Sequence, residues 1–310
     1  MTSIKYISFQ TEQTPAVSEA NILCLGNFDG VHMAHRTLLH RAKQLQTDKL
    51  PNARVGVFCF EKPSTYFLSP NPPAQLTTLE QKLKFFADEG MDFVFVADFK
   101  ALQGLSPEEF INDILVAKCA CKAAVCGFNY RFGKGGKGTP DLLQTILGEP
   151  FVAVQSVIEY NGVTVSSTRV RELLTQGKIT EANALLTTPF SIIAPVEHGK
   201  GLGRHLGAPT INQIPAPQTL VPAYGVYLTR CMIDGQFYYG LTNIGIRPTV
   251  DVNATVNFET HLFDFEGDLY NKELCVEFLH YIRPEQRFEN TEELQKQIQH
   301  DIKTAKELLK

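Results

Sequence analysis

Up to about residue 186 the apolar positions fall into two alternating rhythms. Short runs at 22–25, 54–60, 92–96, 123–126 and 151–157 read as strands, the first of them buried. Between them apolar residues return at helical spacing, as Leu38, Leu39, Ala42 and Leu45 do. Ser106-Pro107-Glu108-Glu109 supplies an N-cap, a proline at the first helical position and a capping glutamate. Gly90 reads as the C-cap of the helix before it. Strand and helix in alternation predict a mostly parallel, doubly wound, Rossmann-like α/β domain over 1–186.

From about Phe190 strands dominate, at 192–196, 225–231, 237–241, 255–263 and 274–281. Asp234-Gly235 between two of them is a hairpin signal. This predicts an antiparallel β-barrel or sandwich over 187–310, with the boundary near Thr187-Thr188-Pro189. One helix closes the chain, capped by Asn290 with Glu293 three residues later. Its apolar stripe, Leu294, Ile298, Ile302, Ala305 and Leu309, reads as a packing face.

A length of 310 residues agrees with two domains. The net charge of −4 argues against a nucleic-acid binder that relies on a broad basic surface. No apolar run approaches the ~20 residues that span a bilayer, and residues 1–12 lack the layout of a signal peptide. Seven cysteines without a C-x-x-C pair read as buried free thiols in a reducing compartment, so the cytoplasm is expected. Zinc at Cys119, Cys121 and Cys126 fits the spacing poorly.

Candidate chemistry begins at Gly26-Asn27-Phe28-Asp29-Gly30-Val31-His32-Met33-Ala34-His35, a strand-to-helix turn. Free backbone N–H groups and the helix dipole favour an anion there. His32 and His35 fall on the first helical turn, three apart, so both rings can face one side and meet phosphate oxygens. A metal pair, or two solvated surface histidines, would use the same residues. A second anion cradle is read at Ser166-Ser167-Thr168-Arg169-Val170-Arg171, where arginines near a helix N-terminus are unfavourable unless an anion sits with them.

The two cradles together resemble the nucleotidylyltransferase superfamily. Gly127-Phe128-Asn129-Tyr130-Arg131-Phe132-Gly133, followed by Gly135-Gly136-Lys137-Gly138, resembles the loop of bacterial FMN adenylyltransferases. In the second half, residues 199–212, Gly199-Lys200-Gly201-Leu202-Gly203-Arg204 onward to Thr210-Ile211-Asn212, resemble the riboflavin kinase signature, as do the stretches around Asn243, Arg247 and Phe258-Glu259-Thr260-His261. The whole chain resembles the bifunctional bacterial riboflavin kinase/FMN adenylyltransferase family (FAD synthetases). It departs from the pattern at Ala34, where glycine is usual, at Glu61-Lys62-Pro63-Ser64, at Thr187-Thr188, at Ala208 and at Asn271.

The resemblance implies two ATP-dependent reactions, riboflavin to FMN and FMN to FAD. It implies Glu259 as the base of the first, and Thr210 and Asn212 as oxygen ligands of Mg²⁺. Gly199, Gly201, Gly203 and Arg204 would wrap ATP in the kinase domain. His32, His35, Ser167, Thr168, Arg169 and Arg171 would hold ATP and stabilise leaving pyrophosphate, with Gly26, Phe28 and Gly30 as further ATP-binding positions. Asn129 and Arg247 would position the flavin substrates. The implied partners are riboflavin, FMN, FAD and ATP, with neither nucleic acid nor membrane. Two other readings stay open: a kinase joined to a degenerate adenylyltransferase domain, and a flavin-binding protein without turnover.

Overall fold

The structure, a computed structural model, describes residues 5–9, 19–198, 210–247 and 255–310. The chain divides between Ser167 and Thr168 into two compact units.

In the first unit β1 (Lys5–Phe9), β2 (Asn21–Leu25), β3 (Arg54–Phe60), β4 (Phe93–Ala97), β5 (Cys121–Gly127) and β6 (Val152–Gln155) form a parallel sheet, in the order β1-β4-β3-β2-β5-β6. The connecting helices are α1 (Met33–Lys49), α2 (Ser64–Leu68), α3 (Leu79–Asp88), α4 (Phe99–Leu102), α5 (Pro107–Glu109) and α6 (Pro140–Leu147). α5 runs on as a π-helical stretch, Phe110–Lys118. Two cores cover the two faces of the sheet. Leu38, Leu39 and Ala42 of α1 join Phe86 of α3 in one, and Phe110, Ile111, Ile114 and Leu143 build the other. Burial from both sides is why β2 and β4 are apolar nearly end to end.

The chain leaves β2 for β3 and β4 on one side, then returns to β5 and β6 on the other. The carboxyl ends of β2 and β5 therefore flank the point where the strand order reverses, the position at which open α/β sheets bind ligands. β1, at the sheet edge beside β4, was not legible in the apolar pattern. β6 is shorter than expected at both ends: Phe151 belongs to a 3₁₀ turn, and the strand stops at Gln155. A small hairpin, β7 (Glu159–Tyr160) with β8 (Val163–Thr164), precedes α7 (Ser167–Thr175).

The second unit is a closed antiparallel barrel of β9 (Phe190–Glu197), β10 (Ile211–Gln213), β11 (Gly225–Ile233), β12 (Gln236–Arg247), β13 (Thr255–Leu262) and β14 (Glu273–Pro284). Asp234 and Gly235 form the two-residue β11–β12 turn with φ of 48° and 84°. Left-handed backbone at both positions is what a type I′ hairpin demands.

The rhythm of the sequence changes near 187, whereas the compact units part between Ser167 and Thr168. Helix α8 (Ile179–Leu186) packs on β9 and β14, and the Leu174 carbonyl of α7 accepts from Ala223 N at 3.0 Å. Asn183 Nδ2 donates to the Phe278 carbonyl at 2.8 Å, and its Oδ1 accepts from Phe190 N at 2.8 Å. Helix α9 (Thr291–Leu308) begins at Asn290, whose side chain accepts from Glu293 N. Its packing face is narrower than the expected stripe. Ile302 and Ala305 meet Val226, Leu228 and Leu241, whereas Leu309 is exposed. Asp301 is buried on that face and is gripped by Arg283 from Nε and Nη2.

Candidate active sites

After β2 the backbone takes left-handed φ at Phe28 (51°), Gly30 (84°) and Val31 (39°). An aromatic and a β-branched residue adopt such values only where the surroundings enforce them. Phe28 is fully buried, edge-on to Phe86 at 5.4 Å and tilted against His35 at 5.1 Å. Its side chain therefore shapes the turn from beneath. The buried Asp29 carboxylate accepts from Leu76 N (3.0 Å), Thr77 N (3.1 Å) and Thr77 Oγ1 (3.2 Å). Gly30 N donates to Thr77 Oγ1 at 2.9 Å, and Ser167 Oγ to the Asp29 carbonyl at 2.8 Å. Asp29, read from sequence only as a neighbour of the histidines, staples the turn to the start of α3.

His32 is the N-cap of α1 and His35 lies in its first turn. Helix α1 thus starts one residue later than the motif suggested. The two rings stack with centroids 3.7 Å apart and planes 14° apart. Burial, then His32 and Lys82, hold the His35 imidazole well below its usual 6.5, so it is neutral at pH 7. A neutral ring still carries an N–H donor, and it stands beside the positive end of a helix dipole.

Leu25 pairs with Cys126, so the loop leaving β5 begins beside this turn. Asn129 is exposed there. The loop is folded around Phe132, which bridges to Gly138, where a Cβ would lie 2.5 Å from the Phe132 ring. Gly133, Gly135 and Gly136 all take left-handed φ. The glycine run is thus required by a tight turn. Ser167 and Thr168 open α7, where Thr168 is exposed and Arg169 pairs with Glu172 at 3.1 Å. Arg171 lies half-buried one position beyond Val170.

In the barrel, β13 lies between β10 and β12, and its register sets Glu259 opposite both Asn212 and Asn243. Asn257, two residues earlier and on the same face, donates its amide to Asn212 Oδ1 (3.0 Å) and Glu259 Oε1 (2.9 Å). Its own Oδ1 is buried without a partner among the described residues. On the alternate face Thr229, Thr242 and Thr260 form a buried hydroxyl chain at 2.8 Å spacings. Thr210 stands just before β10, in phase with Asn212. Arg247 ends β12, paired in register with Thr255. Gly199, Gly201, Gly203 and Arg204 lie outside the described residues.

The cysteines are free and all but Cys275 are buried. Desolvation pushes the Cys121 and Cys126 thiols up to about 12, and Cys119 also upward, so all three stay protonated and suit zinc poorly. Sequence reasoning passed over Asn257, although its alternation with Glu259 was a usable signal. It also passed over Lys82, which reads as an ordinary lysine of an amphipathic helix.

A family model described as FAD synthetase matches residues 14–169, and one described as riboflavin kinase matches 186–309. The bifunctional riboflavin kinase/FMN adenylyltransferase of Escherichia coli K12 is 38% identical over 298 residues, 94% of each chain. Its counterpart from Pseudomonas fluorescens is 37% identical, covering 93% of this chain and 92% of that one. A crystal structure named as a macrolide-efflux protein, from Streptococcus pneumoniae, superimposes with a TM-score of 0.88 at 27% identity, covering 98% and 99% of the two chains. Among the described residues no helix here is long and apolar enough to cross a membrane. With both halves matched in order and relatives aligned over nearly the full length, the chain belongs to the family of bifunctional riboflavin kinase/FMN adenylyltransferases.

Proposed function

We propose that the chain phosphorylates riboflavin to FMN in residues 187–310 and adenylylates FMN to FAD in residues 1–186. The observation that carries the kinase half is the register of β13, which puts Glu259 beside Asn212 with Asn257 bonded to both. Glu259 accepts the proton of the ribityl 5′-hydroxyl as its oxygen attacks the γ-phosphorus. The donors there suit a hard divalent cation, since a hydroxyl, an amide oxygen and the buried Asn257 Oδ1, which has no partner among the described residues, are all oxygen. Thr210 and Asn212 would hold Mg²⁺, which neutralises ATP phosphate charge when bound.

In the α/β half the FMN phosphate is already anionic, so its attack on the α-phosphorus of ATP needs no strong base. The stacked His32 and His35, with Ser167, Thr168, Arg169 and Arg171, hold phosphate oxygens and stabilise departing pyrophosphate. Gly26, Phe28 and Gly30 give the turn its shape, and Asn129 and Arg247 position the flavin in their respective halves. Free buried thiols fit a cytoplasmic enzyme.

Chromatography of flavins tests this, starting from riboflavin or from FMN with ATP and Mg²⁺. FMN followed by FAD is expected. His32→Ala should slow only FAD formation, and an equal loss of FMN formation would count against the division of labour. FMN accumulating with no FAD from either start would show a degenerate adenylyltransferase half, and riboflavin binding without ADP release would show a flavin-binding protein.

A further inference from the structure

Lys82 is the most thoroughly buried charged side chain in the α/β unit, at 1% exposure. It stands at the fourth position of α3, near the positive end of that helix dipole. A cation there meets two penalties, desolvation and an unfavourable dipole. Its ammonium donates one hydrogen bond among the described residues, to the Asn27 carbonyl at 3.5 Å, and lies within electrostatic reach of His35 and Cys59.

Other partly buried cations contrast with it. Arg36, Arg54, Arg230 and Arg283 each pair with a carboxylate. Among the described residues Lys82 has no such ion pair. The capping box of Thr78 and Gln81 and the Asp29–Thr77 staple fix where α3 begins, and one turn after Lys82 the same face presents Phe86 to Phe28. The lysine is therefore aimed at the underside of the Gly26–Gly30 turn, close enough to His35 to act on its charge. An uncompensated buried charge is usually eliminated unless something anionic arrives to meet it.

We propose that Lys82 is a further catalytic residue of FMN adenylylation, a buried cation that meets the ATP phosphates and the pyrophosphate formed from them. An FMN phosphate oxygen forms a bond to the α-phosphorus, and the bond from that phosphorus to the bridging oxygen breaks. The electron pair leaves on pyrophosphate, where the ammonium meets the charge that develops. No proton is transferred in the step. The inference rests on the reading of the His32/His35 turn as the ATP site.

The test uses full-length Lys82→Met and Lys82→Arg, with His32→Ala as comparator. FMN adenylylation, its inhibition by inorganic pyrophosphate, riboflavin phosphorylation and thermal unfolding are all measured. Lys82→Met should lower kcat/KM for ATP in adenylylation by a hundredfold or more and weaken pyrophosphate inhibition at least tenfold. Phosphorylation should stay within twofold, and the unfolding temperature should hold or rise, because an unpaired buried charge has been removed. Lys82→Arg should recover at least tenfold of the lost activity. A fall in unfolding temperature with pyrophosphate inhibition intact would overturn the proposal and make Lys82 a structural prop. Adenylylation within threefold of wild type in Lys82→Met would also overturn it. If His32→Ala is equally silent, the ATP-site reading fails as well; if His32→Ala alone is impaired, only the lysine drops out.

Discussion

Replacing Asn257 by alanine removes one amide that serves two oxygens, Asn212 Oδ1 at 3.0 Å and Glu259 Oε1 at 2.9 Å. A hydrogen bond to a carboxylate contributes about 1.5–3 kcal/mol and a neutral one about 1 kcal/mol. Asn212 is 5% exposed, so water replaces the lost donor poorly there. If about 1.4–2.7 kcal/mol of that orientation is lost in the transition state, phosphorylation slows about ten- to a hundredfold. The assay is the initial rate of FMN appearance from riboflavin at saturating ATP, with FMN-to-FAD conversion on the same preparation as internal control. A companion, Asn257→Asp, puts a second carboxylate against Glu259. The pair then holds one proton more tightly, moving the acid limb of the pH–rate profile upward. A phosphorylation rate in Asn257→Ala within twofold of wild type would refute the positioning argument. So would an equal fall in FAD formation.

Glu259→Gln should cut riboflavin phosphorylation by about 10²–10⁴, the usual worth of a general base, while FMN adenylylation continues; flavin chromatography from each starting point checks this. His35 gives stability a pH dependence. Its folded pKa lies below the unfolded value near 6.5, so the unfolded chain binds the extra proton, and the contribution is complete above 6.5 and lost as pH falls. The slope is at most about 1.4 kcal/mol per pH unit, and His35→Gln should flatten the fall in unfolding temperature between pH 6.5 and 5. Gly56→Ala would set a Cβ 2.4 Å from the buried Phe93 ring. Overpacking of this kind costs about 1–3 kcal/mol, and it should lower the thermal stability of FAD formation while leaving FMN formation unaffected.

Much of the fold was legible because local preferences carried it. β3 falls where its apolar run does, Ser106-Pro107-Glu108-Glu109 forms the expected capping box, and Asp234-Gly235 makes the expected two-residue hairpin turn. Each depends on a few adjacent residues and their own φ, ψ or hydrogen-bonding preferences. The Asn257 clamp depended on which strands flank β13, and the buried Lys82 on where α3 meets a turn 55 residues away in sequence.

By itself the amino-acid sequence determined the two rhythms, the alternation that makes a doubly wound sheet, and the residue types offered as candidate chemistry. Only the tertiary structure decided which of those residues meet. It set Asp29 as the staple of the Gly26–Gly30 turn, put α8 on the barrel, and left one lysine buried with no carboxylate paired to it among the described residues. The physical reason is range. Periodicity and capping are properties of neighbouring residues, whereas burial and cross-strand pairing follow from segments brought together by the whole core.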